Sequence, residues 1–122
     1  MATRYEVAAR STDVFGRVLC AAREHHFVID GPVHNGAPGE ELTPSEAFLA
    51  GVAACAVELI QALARDADAP LRSVGASIEG ELDRDHPVRA DVTVFNRVRL
   101  HLRLEGVETD EADRLVESFK GR

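Results

Sequence analysis

Residues 43–63, TPSEAFLAGVAACAVELIQAL, decide how the rest of the chain has to fold. The stretch opens with a helix start signal: Thr43 at the N-cap, Pro44 at the first helical position, and Ser45 and Glu46 in the first turn. Phe48, Val52, Cys55, Leu59 and Leu63 then recur at gaps of four, three, four and four. At about 100° per residue these side chains fall on one narrow stripe. Leu49, Ala53, Ala56 and Ile60 widen the stripe to about half the circumference, and only Glu58, Gln61 and Arg65 keep a wet edge. The spacing predicts a long central helix, buried on most of its surface, with a cysteine at its middle.

On the N-terminal side, residues 3–10 and 14–23 read as two strands with Ser11, Thr12 and Asp13 as the turn between them. HHFVIDGP is a third strand ending at Asp30, Gly31 and Pro32, and VHNGAPGEEL is a surface loop leading into the helix. On the C-terminal side DADAP ends the helix, with Pro70 as the stop. Residues 73–82 alternate, with Val74, Ala76, Ile78 and Leu82 on one face. After the turn DRDHPVR, Val92, Val94, Val98, Leu100, Leu102 and Leu104 take even positions, and polar residues take the odd ones. Phe95 and Asn96 break that order, which marks a bulge or a turn between two strands. Thr109 caps a last helix that carries Ala112, Leu115, Val116 and Phe119 at i, i+3, i+4 and i+7.

The element order is βββ–α–ββ–α, an α+β fold with antiparallel sheet in a single domain spanning residues 1–122. So small a sheet cannot enclose so apolar a helix, and a homodimer in which two sheets sandwich paired central helices is expected. The net charge of −7 argues against nucleic acid or an anionic membrane as partner. The uncharged run Ala47–Val57 is too short to cross a bilayer, and MATRYEVAAR lacks the continuous apolar core of a secretory signal. Cys20 and Cys55 form no CxxC pair, so a reduced, cytoplasmic protein is expected.

The run HHFVIDGPVHNGAPGEELTPSEAFLAGVAACAVELI resembles the signature of the OsmC/Ohr family, the osmotically inducible and organic-hydroperoxide-resistance proteins. Phe27, Val28 and Asp30 carry it at the strand end, Gly36 and Gly39 in the loop, and Thr43, Pro44 and Glu46 at the helix start. Cys55 follows eleven residues past the proline. The element order and the ending VESFKGR extend the likeness over essentially the whole chain. The resemblance implies an OsmC-like fold, with antiparallel sheets around a long central helix, in an intertwined homodimer. It also implies a thiol-dependent peroxidase reducing organic hydroperoxides in oxidative-stress defence, with Cys55 as the peroxidatic thiol and no cofactor or metal. Dihydrolipoyl groups or low-molecular-weight thiols would recycle it. The family's second, resolving cysteine would lie just beyond Arg122, where this sequence ends. Ser45 stands where the Ohr branch has its glutamate, and Glu46 sits one place later, as in the OsmC-like branch.

Peroxide reduction needs a thiolate, a path for ROOH and a cation. The expected site is Cys55 as nucleophile, Glu46 as supporting acid and an arginine from the N-terminal strands, Arg17 or Arg10, beside the thiolate. Glu46 lies nine residues before Cys55, a half-turn to the other side of an unbroken helix. A direct role therefore requires a helix restart at Gly51 or a contribution from a partner subunit. Gly51 equally suits a close approach of two central helices. Phe48, Val52 and Leu59 would line an apolar pocket. Cys20 is a second thiol whose spacing favours no redox role.

The rival expectation is a non-catalytic dimer with an inert buried thiol, binding an apolar small molecule between subunits. A hot-dog-like thioester enzyme ranks lower, because that fold has more strands after its helix. The five histidines lack metal-ligand spacing, and adjacent His25 and His26 point to opposite faces of a strand. Arg97, Arg99, His101 and Arg103 read as a solvated strand face rather than a nucleic-acid platform.

Overall fold

The central helix, α1, runs unbroken from Pro44 to Asp66 in a computed structural model that describes residues 1–121. Gly51 lies within it and restarts nothing. The N-terminus is closed by a reciprocal pair: the Thr43 hydroxyl accepts from the Glu46 N–H at 3.3 Å, and the Glu46 carboxylate accepts from the Thr43 N–H at 2.9 Å. At the other end the helix stops before Pro70 is reached. Asp68 adopts a left-handed φ of 54°, and the Ala69 N–H turns back to the Ala64 carbonyl at 2.8 Å.

The chain divides into two compact units, Met1–Phe48 and Leu49–Arg122, with the boundary inside α1. The first unit holds β1 (Ala8–Ser11), β2 (Arg17–Ala22) and β3 (His25–Asp30) in an antiparallel sheet of that order. The first predicted strand begins five residues late. β2 ends at Ala22, opposite His25, and Ala8 already pairs with Ala21, so residues 3–6 run on past the end of their neighbour. The loop after β3 contains a single 3-10 turn, Val33–Asn35, and folds back so that the Ala37 side chain packs on Gly16. A side chain at Gly16 would occupy the space of Ala37, and its φ of 80° is itself unsuited to one.

The second unit holds the rest of α1, the hairpin β4 (Ser73–Glu81) and β5 (Arg97–Glu105), and α2 (Thr109–Lys120). In register Val74 faces Leu104, Ala76 faces Leu102 and Ile78 faces Leu100, so one side of the hairpin is aliphatic and half-buried. Val92 and Val94, predicted in the strand, precede it. Residues 82–96 are a long connection pinned by Asn96, whose side chain accepts from the Asp83 N–H at 2.7 Å and donates to the His86 carbonyl at 2.6 Å. Side-chain alternation continued through this segment, but Asn96 diverts it into a loop. α2 starts at Thr109, one residue earlier than a Thr109 cap implies, because Glu108 occupies the N-cap, where it makes no side-chain bond. Leu115 is its buried residue.

The stripe of α1 that packs is the secondary one. Ala56, Ile60 and Ala64 are buried, Leu49, Ala53 and Val57 are half-buried, and Phe48, Val52 and Cys55 are exposed. A two-stranded hairpin and one short helix cover one side of a helix and no more, so the expectation of burial on most of its surface fails for this chain by itself. By length and composition α1, at 23 residues, is long and apolar enough to cross a membrane, which the shorter uncharged run did not signal. Ala56, Ile60 and Ala64 on one side of it are nonetheless buried in protein.

Candidate functional site

Arg17 and Asp30 are direct cross-strand partners in β2 and β3, so their side chains leave the sheet on the same face. The guanidinium grips the carboxylate at two points, Nε to Oδ1 and Nη2 to Oδ2, both at 2.8 Å. Asp30 is wholly buried and also accepts the backbone N–H groups of Glu40 and Glu41 at 3.0 Å each. Four donors thus meet one buried charge, which is the condition under which such a charge is tolerated. The Arg17 bonds outweigh the cost of burial, with the two backbone donors assisting, and hold the Asp30 carboxyl well below the usual carboxylate range. Arg17 itself is raised, first by its bond to Asp30 and then by Glu40. Its Nη2 also reaches the Glu40 Oε1 at 3.0 Å, on a side chain that is 73% exposed.

Glu46, the expected supporting acid, is engaged at the helix start. Its Oε1 accepts from both the N–H and the hydroxyl of Thr43 at 2.9 Å, and these bonds lower its pKa. The uninterrupted helix removes the Gly51 restart as a route from Glu46 to Cys55. Of the two candidate arginines, Arg10 is an exposed β1 residue opposite Leu19 and forms no ion pair among the described residues.

Cys55 is a free thiol and is exposed on the uncovered side of α1. Val52 and Leu59 flank it at helical spacing and form an exposed or half-exposed ridge, not the walls of the predicted pocket. A convex helix face encloses nothing alone. Gly51 lies one turn before the thiol, and a side chain built there would meet no atom within 4 Å. Cys20 is also free but buried in the middle strand, between Ala9 and Phe27 of its neighbours. It is a packing residue.

On the outer face of the second hairpin Arg99 lies opposite Glu79 and Arg97 opposite Glu81, with Arg99 3.7 Å from the Glu79 carboxylate. The basic row is therefore balanced within its own sheet, as a solvated face. Among the described residues no three His, Cys, Asp or Glu side chains gather as a metal site. The network that sequence reading missed is Asp30 with Glu40. In the sequence Asp30 stands out only as part of the strand-end motif. Counting outward from the two-residue turn at Arg23 and Glu24 would have set it opposite Arg17.

The family model of OsmC, the OsmC-like proteins, matches residues 37–122. No curated protein matches the chain. Among solved structures it is similar to an OsmC-like protein from Mycoplasma pneumoniae, with a TM-score of 0.84 at 16% identity over 100% of this chain and 84% of that one. It is similar also to an organic hydroperoxide resistance protein OsmC from Legionella pneumophila, with a TM-score of 0.74 at 23% identity over 98% and 83%. A third, an organic hydroperoxide resistance protein from Elizabethkingia anophelis with thiocyanate bound, gives 0.75 at 20% identity over 98% and 84%. Only two strands follow α1 among the described residues, against the hot-dog alternative. The order of elements, the two antiparallel sheets and the match over most of the sequence agree, and the chain belongs to the OsmC family.

Proposed function

We propose that this protein is a cytoplasmic, homodimeric thiol peroxidase that reduces organic hydroperoxides at Cys55. The observation that carries the reading is the position of that thiol: free, exposed, and set among apolar side chains on the uncovered side of α1. A catalytic thiol needs access, which an inert core cysteine does not have. The names of the Legionella and Elizabethkingia neighbours support organic hydroperoxides as the substrate class.

In the proposed reaction the Cys55 thiolate attacks the outer oxygen of ROOH. An S–O bond forms and the O–O bond breaks. The alkoxide takes up a proton and leaves as ROH, while the sulfur is left as sulfenic acid. One external thiol condenses with it to a mixed disulfide and water, and a second releases Cys55 with formation of the reductant's disulfide. Buried Cys20 is unsuited to the resolving step, and a dihydrolipoyl dithiol or small thiols are the proposed reductants. Arg17 is the proposed cation for the thiolate, held by Asp30, and Glu46 supports the helix start. The proposed homodimer packs two α1 helices closely at Gly51 beside Val52 and leaves the Cys55 thiol reachable by the peroxide.

Treating the protein with cumene hydroperoxide and assigning oxidised sulfur by peptide mass spectrometry tests the reading. Cys55 should be lost with little effect from equal hydrogen peroxide, and Cys55→Ser should abolish consumption of the organic peroxide. Indifference of Cys55 to both peroxides would leave an inert dimeric scaffold.

A further inference from the structure

Glu58 is the charge that α1 itself sets beside its thiol. The helix is unbroken through Cys55 and Glu58. Residues three apart on a helix are neighbours, about 5–6 Å between Cβ atoms. Both side chains are exposed, on the side of α1 away from buried Ala56, Ile60 and Ala64. The other helix neighbours of Cys55 are uncharged: Gly51 and Val52 one turn before it, Leu59 one turn after. The next charge on this side, Arg65, comes ten residues after Cys55. That spacing is about 15 Å along the axis, roughly two screening lengths in physiological salt. Arg65 is in addition 3.2 Å from the Asp66 carboxylate. Among the described residues Glu58 has no ion-pair partner, so its negative charge stands uncompensated one turn from the sulfur.

We propose that Glu58 is a specificity-determining residue at Cys55. Its carboxylate repels anionic peroxides and acidic thiols, and leaves the sulfur to neutral alkyl hydroperoxides and to neutral or cationic reductants. The inference rests on the reading of Cys55 as the reactive thiol and names the charge class that reaches it. A peroxide that carries a carboxylate must bring like charge within a few ångströms of Glu58, whereas Val52 and Leu59 are indifferent to charge.

The test measures the modification of Cys55 by two methanethiosulfonates of opposite charge, aminoethyl and sulfonatoethyl, at low ionic strength. In each case the thiolate displaces methanesulfinate and keeps the charged thioethyl group, and peptide mass spectrometry assigns the adduct to Cys55. The ratio of cationic to anionic rate should fall about five- to tenfold from wild type to Glu58→Gln, the change expected for one charge at this spacing. Glu58→Lys should move it about as far again, and Glu58→Asp should restore most of the wild-type ratio. In 1 M salt, where the screening length is about 3 Å, wild type and Glu58→Gln should converge. Circular dichroism and sedimentation confirm fold and assembly in every variant. Equal ratios in wild type and Glu58→Gln at low salt overturn the inference, and so does a fall in Glu58→Asp as large as that in Glu58→Gln. Peroxide turnover separates the two claims. In an active enzyme kcat/KM for a fatty-acid hydroperoxide should rise in Glu58→Gln relative to that for cumene hydroperoxide. A wild type that consumes cumene hydroperoxide while the probe ratio ignores residue 58 sinks the role of Glu58 alone. A ratio that shifts as expected in a protein inert to peroxide upholds the charge selection at the sulfur and sinks the peroxidase.

Discussion

Asp30 shows how much a single buried charge can demand of its surroundings. Its two oxygens draw in Arg17 from the next strand and the amides of Glu40 and Glu41 from the loop, and thereby fix the path of the chain after β3. Asp30→Asn turns one acceptor oxygen into a donor facing donors, so we expect Tm to fall by on the order of ten degrees or more, measured by calorimetry. Acid should act on the same network. Asp30 and Glu46 both have folded-state pKa values below their usual 3.8 and 4.5. Their contribution is therefore complete above those values and is lost as pH falls through the depressed ones. Stability from urea melts should be flat above about pH 5 and decline below about pH 4, and the decline should be shallower in Asp30→Asn. A melt independent of pH over that range would remove Asp30 from its assigned role.

At the scale of the element, α1 is defined by its ends and by what it leaves open. Thr43→Ala removes the cap that Glu46 reciprocates, and a loss of about 1 kcal/mol by urea denaturation is expected. Gly80 in β4 is required by packing: a side chain there would lie 2.8 Å from the Phe95 ring and 3.2 Å from Leu49. Gly80→Ala should cost about 1–3 kcal/mol, and trimming the ring with Phe95→Leu in the same chain should return part of it. Gly51 is the opposite case, with open space around it in the single chain. Gly51→Ala should raise helix stability by up to about 1 kcal/mol if nothing approaches, as helix propensity alone dictates. Gly51→Leu should instead split the proposed dimer, seen as a fall in sedimentation coefficient with helical circular dichroism unchanged.

For the whole molecule, the ridge of α1 is the feature a single chain does not resolve internally. Val52 is 39% exposed beside an exposed Cys55 on a helix whose other face is packed. This ridge is where we propose the dimer contact lies. Val52→Glu should place a charge in the proposed dimer contact and give a monomer at micromolar concentration by analytical ultracentrifugation, with loss of peroxide turnover. A wild type already monomeric at that concentration would refute the homodimer.

The sequence by itself determined the elements that local chemistry controls. Thr43, Pro44 and Glu46 set the start of α1, the even-numbered Leu100, Leu102 and Leu104 gave β5 its inner face, and the helix-start motif with Cys55 lies within the residues that match the family. These were legible because periodicity and capping act over a few residues. Which side of α1 is covered was not, since both stripes are apolar and only the placement of a second element chooses between them. The ends of β1 and β5 depended on where a neighbouring strand stops and on Asn96 reaching back to Asp83 and His86. Tertiary structure alone brought Glu40 to Arg17: the hairpin turn sets the register of Arg17 with Asp30, but no short-range pattern records the loop that carries an exposed carboxylate to the same guanidinium.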